Sequence, residues 1–383
     1  MADKTAELDI LCSNSKFTVN LYNVLIETSP GNIIFSPISI HAVLSMAYQG
    51  AQGTTAEKFA STLKIPEAKT AKEGYNVVMN RLNSIPNVTL LMANKVYLME
   101  RYKLLPDFSD AVTKNFLSEV QLLNFGANEA AAATINVWVE EKTKEKIKNL
   151  ISKDNLGDFT RLVLVNAIYF KGNWMHEFDK EDTRTEPFYL NDVDSVDVEM
   201  MHMTRKFHYK GVRELGAQIL ELPYTNDNLS MVIILPFTGK QIAEVEKNLA
   251  TVDLTEITNK MMYIEITVAL PRFKIEQTID LEDSLTKLGL GDIFNPSKAN
   301  FSGMITSQES LYVSKVIQKA FIEVNEEGAE AAAATAMMIV PECCIEGPNM
   351  TFTADHPFVF MLLEKSSGKP NILFTGKITN PQL

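Results

Sequence analysis

Five histidines, three cysteines and 48 carboxylates are the side chains from which a catalytic or metal site would be built, and their spacing decides what they can do. His41, His176, His202, His208 and His356 are scattered, and none falls in an HExxH or CxxC-type ligand set, so no metal is expected. A histidine in such isolation is expected to be structural or on the surface. Neither a GxSxG elbow nor a GxxxxGK[ST] phosphate loop is present. Ser-x-x-Lys recurs at Ser13/Lys16, Ser61/Lys64, Ser284/Lys287 and Ser366/Lys369 without a shared context, which marks it as noise. Asp179, Glu181 and Asp182 surround Lys180, as in a solvated loop. The chain therefore reads as a non-enzyme that needs no cofactor.

Composition narrows the classes further. The 383 residues are 46% hydrophobic and 22% charged, close to the average soluble globular protein and enough for a large core. A net charge of −12 argues against a nucleic-acid or anionic-membrane partner, because phosphate neutralisation needs clustered Lys and Arg. The longest apolar runs, Met231–Pro236 and Phe358–Leu363, have the length of strands and not of membrane spans. The cysteine number is odd, with Cys343 and Cys344 adjacent, which makes no disulfide framework. No apolar stretch follows Met1, so the sequence as written reads as cytoplasmic, or as extracellular if it is the mature form of a secreted protein. Sequons at Asn87, Asn228, Asn300 and Asn349 match chance frequency and do not decide this.

The first third reads helical. Ser36-Pro37 opens a helix with the apolar face Ile40, Val43, Leu44 and Ala47, ending at Gly50. Thr54 with Glu57 suggests a capping box ahead of Phe59 and Leu63. Asn128 to Ile151 reads as one long amphipathic helix. Strands follow: Leu162–Phe170 as one covered on both faces, a hairpin of Gln218–Pro223 and Leu229–Pro236, then Met262–Leu270 and Leu311–Val324. Phe358–Leu363 and Ile372–Thr379 form a last hairpin. With no linker and no repeat, helices first and strands later favour one α+β domain over residues 1–383.

One segment resists this reading: Glu326-Glu327-Gly328-Ala329-Glu330-Ala331-Ala332-Ala333-Ala334-Thr335-Ala336. Propensity makes an alanine run a helix. As a strand of period two it presents Ala329, Ala331, Ala333 and Thr335 on one face, small enough to slide between strands already paired. Composition favours the helix, while the position directly after a long strand, with Gly328 as a hinge and the strand-like residues 337–341 beyond, counts against it.

Phe321 through Thr335 closely resembles the hinge of inhibitory, insect-type serpins. The resemblance covers nearly the whole chain. It includes Asn32-Ile33-Ile34-Phe35-Ser36-Pro37-Ile38-Ser39-Ile40, Gly50-Ala51-Gln52-Gly53-Thr54-Thr55 and Leu164-Val165-Asn166-Ala167-Ile168-Tyr169-Phe170-Lys171-Gly172-Asn173-Trp174. Leu270-Pro271-Arg272-Phe273, Ala299-Asn300-Phe301-Ser302-Gly303-Met304 and Asp355-His356-Pro357-Phe358 complete it.

The resemblance implies a serpin fold: a single α+β domain with three β-sheets, about nine helices and an exposed reactive loop at about residues 326–350. It also implies a suicide-substrate inhibitor of a serine or cysteine endopeptidase, monomeric, whose cleaved loop enters the main sheet and traps the acyl-enzyme covalently. The alternative is a non-inhibitory serpin with a carrier, chaperone or storage role. Residues 326–335 become the loop hinge, and Glu342–Cys343 the scissile bond, within Met338–Glu346. Ser36, Ser39 and Asn166 match the shutter beneath the opening sheet, with Gln318 where many serpins have His, and Trp174 matches the breach. A Glu326–Arg272 salt bridge, of a kind worth little when exposed, is expected at the top of the hinge. Cys343 and Cys344 are either a redox switch or two free thiols.

Overall fold

The structure, a computed structural model, describes residues 2–249, 254–306, 309–328 and 350–382. The chain divides into two compact units, each assembled from three separate stretches. One comprises Met1–Phe170, Ile275–Ile322 and Leu362–Gly376; the other comprises Lys171–Lys274, Glu323–Met361 and Lys377–Leu383. Because the chain passes from one unit to the other several times, no linker marks the division in the sequence.

The first unit holds the long helices Ala2–Thr28, Pro37–Gly50, Gly53–Leu63, Ala68–Leu82, Pro106–Phe116 and Asn128–Lys142. Pro37–Gly50 starts and stops where Ser36-Pro37 and Gly50 place it. Yet it is buried at every position except Gln49, as a helix apolar all round must be. The Ser36 hydroxyl does not cap it, and no side chain caps Gly53–Leu63 at Gln52, so the Thr54/Glu57 capping box does not form. The helix from Asn128 stops at Lys142, well short of Ile151. There the buried Thr143 hydroxyl donates to Val139 O at 2.7 Å and accepts from Ile147 N–H at 3.1 Å, and Lys144, Glu145 and Asn149 turn left-handed.

The five-stranded sheet has the order Phe273–Asp280, Val313–Val324, Leu162–Gly172, Val88–Met99, Glu119–Leu123. Leu162–Gly172 is buried along almost its full length, as its unbroken apolar run requires. Its neighbour Val313–Val324 runs parallel to it, with Val316 opposite Leu164, Gln318 opposite Asn166 and Ile322 opposite Phe170.

The second unit is built on an 18-residue strand, Ser195–Val212. Its start pairs with Arg184–Tyr189, its middle with Met262–Pro271 and its end with Ala217–Pro223. Ala217–Pro223 continues into the expected hairpin with Leu229–Pro236, and Thr351–Thr353 lies parallel to Met262–Pro271. One long strand thus serves two of the three sheets the resemblance implies, which is why their ladders run together. Nine α-helical segments occur among the described residues. None of the helices searched is long and apolar enough to cross a membrane.

Candidate functional site

In the second unit, Asn325–Gly328 leaves the end of the Val313–Val324 strand and is fastened by its backbone. Trp174 Nε1–H donates to Asn325 O at 2.9 Å, Trp174 N–H to Glu327 O at 3.1 Å and Phe178 N–H to Glu326 O at 2.9 Å. Trp174 is buried and stacks on Tyr224 with ring centroids 4.4 Å apart, so this anchor is rigid. Gly328 has φ +78°, and a Cβ there would lie 2.5 Å from Trp174 N and 2.6 Å from Gly172 O. Backbone on both sides leaves room for glycine alone.

The side chains add a second layer. The Glu326 carboxylate is 2% exposed and accepts from Arg272 Nε at 2.6 Å, from Arg272 Nη2 and from Thr183 Oγ1 at 2.5 Å. Burial alone would raise this carboxyl, but the Arg272 guanidinium and the Thr183 hydroxyl outweigh it and hold the group below its ordinary value of 4.5. The expected salt bridge is present and buried on its acidic side, and losing Arg272 would leave a carboxylate with little access to water. Next to it, Glu327 pairs with Lys180 at 2.5 Å. Lys180 is thus not merely part of a solvated charge cluster: Asp179 caps the short turn Lys180–Asp182 and presents Lys180 to the loop.

In the first unit a second polar cluster sits where Val313–Val324 meets Leu162–Gly172. Asn166 Nδ2 donates to Ser39 Oγ and to Asn94 Oδ1, and its Oδ1 accepts from Gln318 Nε2. Ser39 Oγ donates to Asn94 Oδ1 at 3.0 Å. Gln318 also accepts from Ser36 N–H at 2.9 Å and donates to Ser36 O at 3.1 Å. Ser36 through its backbone, Ser39, Asn166 and Gln318, all singled out in the sequence, are therefore joined in one network in which Gln318 both donates and accepts. The Ser36 hydroxyl takes no part in it and has no hydrogen-bond partner.

Several participants escaped sequence reasoning. Asn94 is a polar residue within the largely apolar Leu90–Leu98 stretch, a signal that was there to be read. Thr183, Asn325 and Tyr224 carry no such mark, since only the fold brings them to Glu326 and Trp174. Glu326, Glu327 and Gly328 are described, whereas Ala329, Glu330, Ala331, Ala332, Ala333, Ala334, Thr335 and the Glu342–Cys343 bond, with Cys344, lie outside the described residues. Among the described residues no group of three or more His, Cys, Asp or Glu side chains is placed to hold a metal ion. His41 is buried, with Nε2 2.9 Å from Leu63 O and Nδ1 2.5 Å from the Tyr75 hydroxyl.

The fold and these clusters define a class. Residues 12–381 match the sequence family described as Serpin (serine protease inhibitor). Human leukocyte elastase inhibitor is 39% identical over 382 residues, covering 96% of this chain and 98% of that protein. Among solved structures, Serpin48, described as a highly specific serpin of the insect Tenebrio molitor, superimposes with a TM-score of 0.88 at 30% identity, covering 98% of both chains. Human thyroxine-binding globulin in complex with its hormone superimposes with a TM-score of 0.87 at 30% identity, covering all of both chains. The chain belongs to the serpin family and has the serpin fold.

Proposed function

We propose that this serpin is a suicide-substrate inhibitor of an endopeptidase with a serine or cysteine nucleophile, acting as a monomer through a covalent complex. The observation that carries the reading is the pairing of two things: a five-stranded sheet whose Val313–Val324 and Leu162–Gly172 strands are parallel neighbours, and an alanine-rich segment that begins just after one of them. A parallel pair is slightly less stable per residue than an antiparallel one. A loop that folds back after Gly328 would run antiparallel to both strands, replacing one parallel pair by two antiparallel pairs. Once the protease has attacked the scissile bond, for which Glu342–Cys343 is the best candidate, the freed segment enters the sheet and draws the acyl-enzyme with it.

Magnitude supports the switch. Fourteen residues from Ala329 extend roughly 46 Å as a strand. A dozen new ladder bonds at about 0.5–1.5 kcal/mol each give on the order of 10 kcal/mol, comparable to the whole stability of many domains. Ala331, Ala332, Ala333 and Ala334 have no side chain that would obstruct entry. A carrier role, the alternative that thyroxine-binding globulin illustrates, does not need such a run.

Incubation with a panel of serine and cysteine endopeptidases tests the proposal by a denaturing gel and mass spectrometry of the released peptide. The expected result is a band that survives denaturation and a cut within Met338–Glu346. Ala331→Asp should be cut at the same bond yet release active protease, because a buried carboxylate stalls insertion. Trapping with unchanged stoichiometry by that variant would refute the mechanism.

A further inference from the structure

The segment Met200–Arg213 carries Arg205, Lys206, Lys210 and Arg213 and not one carboxylate, in a chain of net charge −12. All but Arg213 lies in the Ser195–Val212 strand, its Met200–Tyr209 part paired with Met262–Pro271, and much of it faces solvent. Thr204 Oγ1 meets Thr267 Oγ1 at 2.9 Å, which fixes the register of one face. Along that face follow Lys206, His208 and Lys210 on one strand and Glu265 and Tyr263 on the other, with side chains roughly 6.6 Å apart along each strand. The His208 and Tyr263 rings lie 5.2 Å apart, and Tyr263 is 59% exposed. Among the described residues no ion pair engages Lys206 or Lys210, although Glu265 stands opposite Lys206.

The position of this face gives it a partner. Thr351, immediately after the loop region, pairs with Thr267 and is itself exposed. Tyr263 is four residues from Thr267, about 13 Å along the strand. A protein that covers about 800 Å² of its partner spans a disc some 30 Å wide. A protease engaging the chain close to Thr351 would therefore reach His208 and Tyr263, with the lysines at the rim of that contact.

Resting on the reading of the chain as a protease trap, we infer that the face of Lys206, His208, Lys210 and Tyr263 is an accessory docking surface for the target endopeptidase, and that it favours enzymes with an acidic rim beside the cleft. The unpaired cations steer the encounter, and Tyr263 supplies the rigid aromatic contact typical of interface hot spots.

The test uses the full chain and the enzyme it traps from a panel of subtilisin, chymotrypsin, pancreatic elastase and trypsin. Lys206→Glu/Lys210→Glu and Tyr263→Ala are compared with the wild type for association rate, stoichiometry and melting temperature. The charge variant should associate roughly tenfold more slowly at low salt and match the wild type in 1 M NaCl, with stoichiometry and melting unchanged. Tyr263→Ala should slow association at both salt concentrations. Equal rates for all variants would overturn the inference while leaving the trap intact. A rate loss accompanied by raised stoichiometry would also overturn it, placing the effect on insertion. Concentration-dependent self-association lost in the variants would assign the face to a second copy, and tighter retention of the wild type on heparin with equal trapping rates would assign it to a polyanion. Failure of the wild type to trap any enzyme would refute the trap reading itself.

Discussion

At the scale of single residues, the start of the loop is governed by the protonation and solvation of Glu326. Its carboxyl is held below 4.5 by Arg272 and Thr183 against the opposing effect of burial. A group whose folded value is depressed contributes stability that is complete above its unfolded value and is lost as pH falls through the folded one. The loop anchor should therefore hold at neutral pH and loosen below about pH 4.5. Arg272→Ala should cost about 2 kcal/mol, less than a fully buried pair because Arg272 is 40% exposed. It should also move the onset of loosening to higher pH, read as limited proteolysis near residue 328 across pH 3.5–6.5. His41 supplies a second test. Burial lowers its imidazole from 6.5 to about 4, opposed by the hydrogen bond to Leu63 O, so the ring is neutral in the fold. Its stabilisation is complete above pH 6.5 and falls away between pH 6.5 and 4, by about 3 kcal/mol over that window. His41→Phe removes this dependence, so the stability gap between wild type and variant, measured by urea unfolding, should narrow as pH falls. A gap constant with pH would show that His41 charges as readily in the fold as out of it.

At the scale of elements, what the sequence revealed and what it hid have separate causes. Leu162–Gly172 and the Leu229–Pro236 hairpin strand were legible because burial on both faces leaves a continuous apolar run. Ser195–Val212 was not, since it serves different neighbours along its length and its exposed and buried positions follow no single alternation. Val88–Met99 hid behind the helical rhythm of the segments around it. Ser36, Ser39, Asn166, Trp174, Gln318 and Glu326 were singled out through family resemblance; Asn94 and Lys180 stood out only as a polar residue in an apolar stretch and as part of a charge cluster, and Thr183 had no local mark. Thr143 shows how one side chain overrides a period: the apolar spacing continues to Ile151, but its hydroxyl bonds both Val139 O and Ile147 N–H and the helix ends. Thr143→Val keeps the volume and leaves the buried Ile147 N–H without its acceptor. It should cost about 1–2 kcal/mol in urea unfolding and raise protease sensitivity at Lys144. An unchanged midpoint would mean that the turn after Lys142 is set by the left-handed residues Lys144 and Glu145 alone.

For the molecule as a whole, the proposed trap requires that the lowest free-energy state differ from the five-stranded form once the loop is cut. Before cleavage the loop is tied at both ends, by the Trp174 and Glu326 anchor on one side and by Thr351 paired to Thr267 on the other. That double attachment opposes deep entry of the alanine run beside Val313–Val324. A nick at the scissile bond removes one tie and leaves the hinge end free to insert. Unfolding entropy of roughly 2 cal/mol/K per residue amounts to about 0.8 kcal/mol/K for 383 residues, so a gain on the order of 10 kcal/mol should raise the melting temperature by about 12 °C. The measurement is a thermal scan of the intact chain and of chain nicked by a protease that is then removed. Ala331→Asp sharpens it, because the same nick in that variant should leave the melting temperature nearly unchanged. If intact and nicked wild type melt together, the loop stays outside the sheet after cleavage, and inhibition must come from tight reversible binding and not from a one-way change of fold.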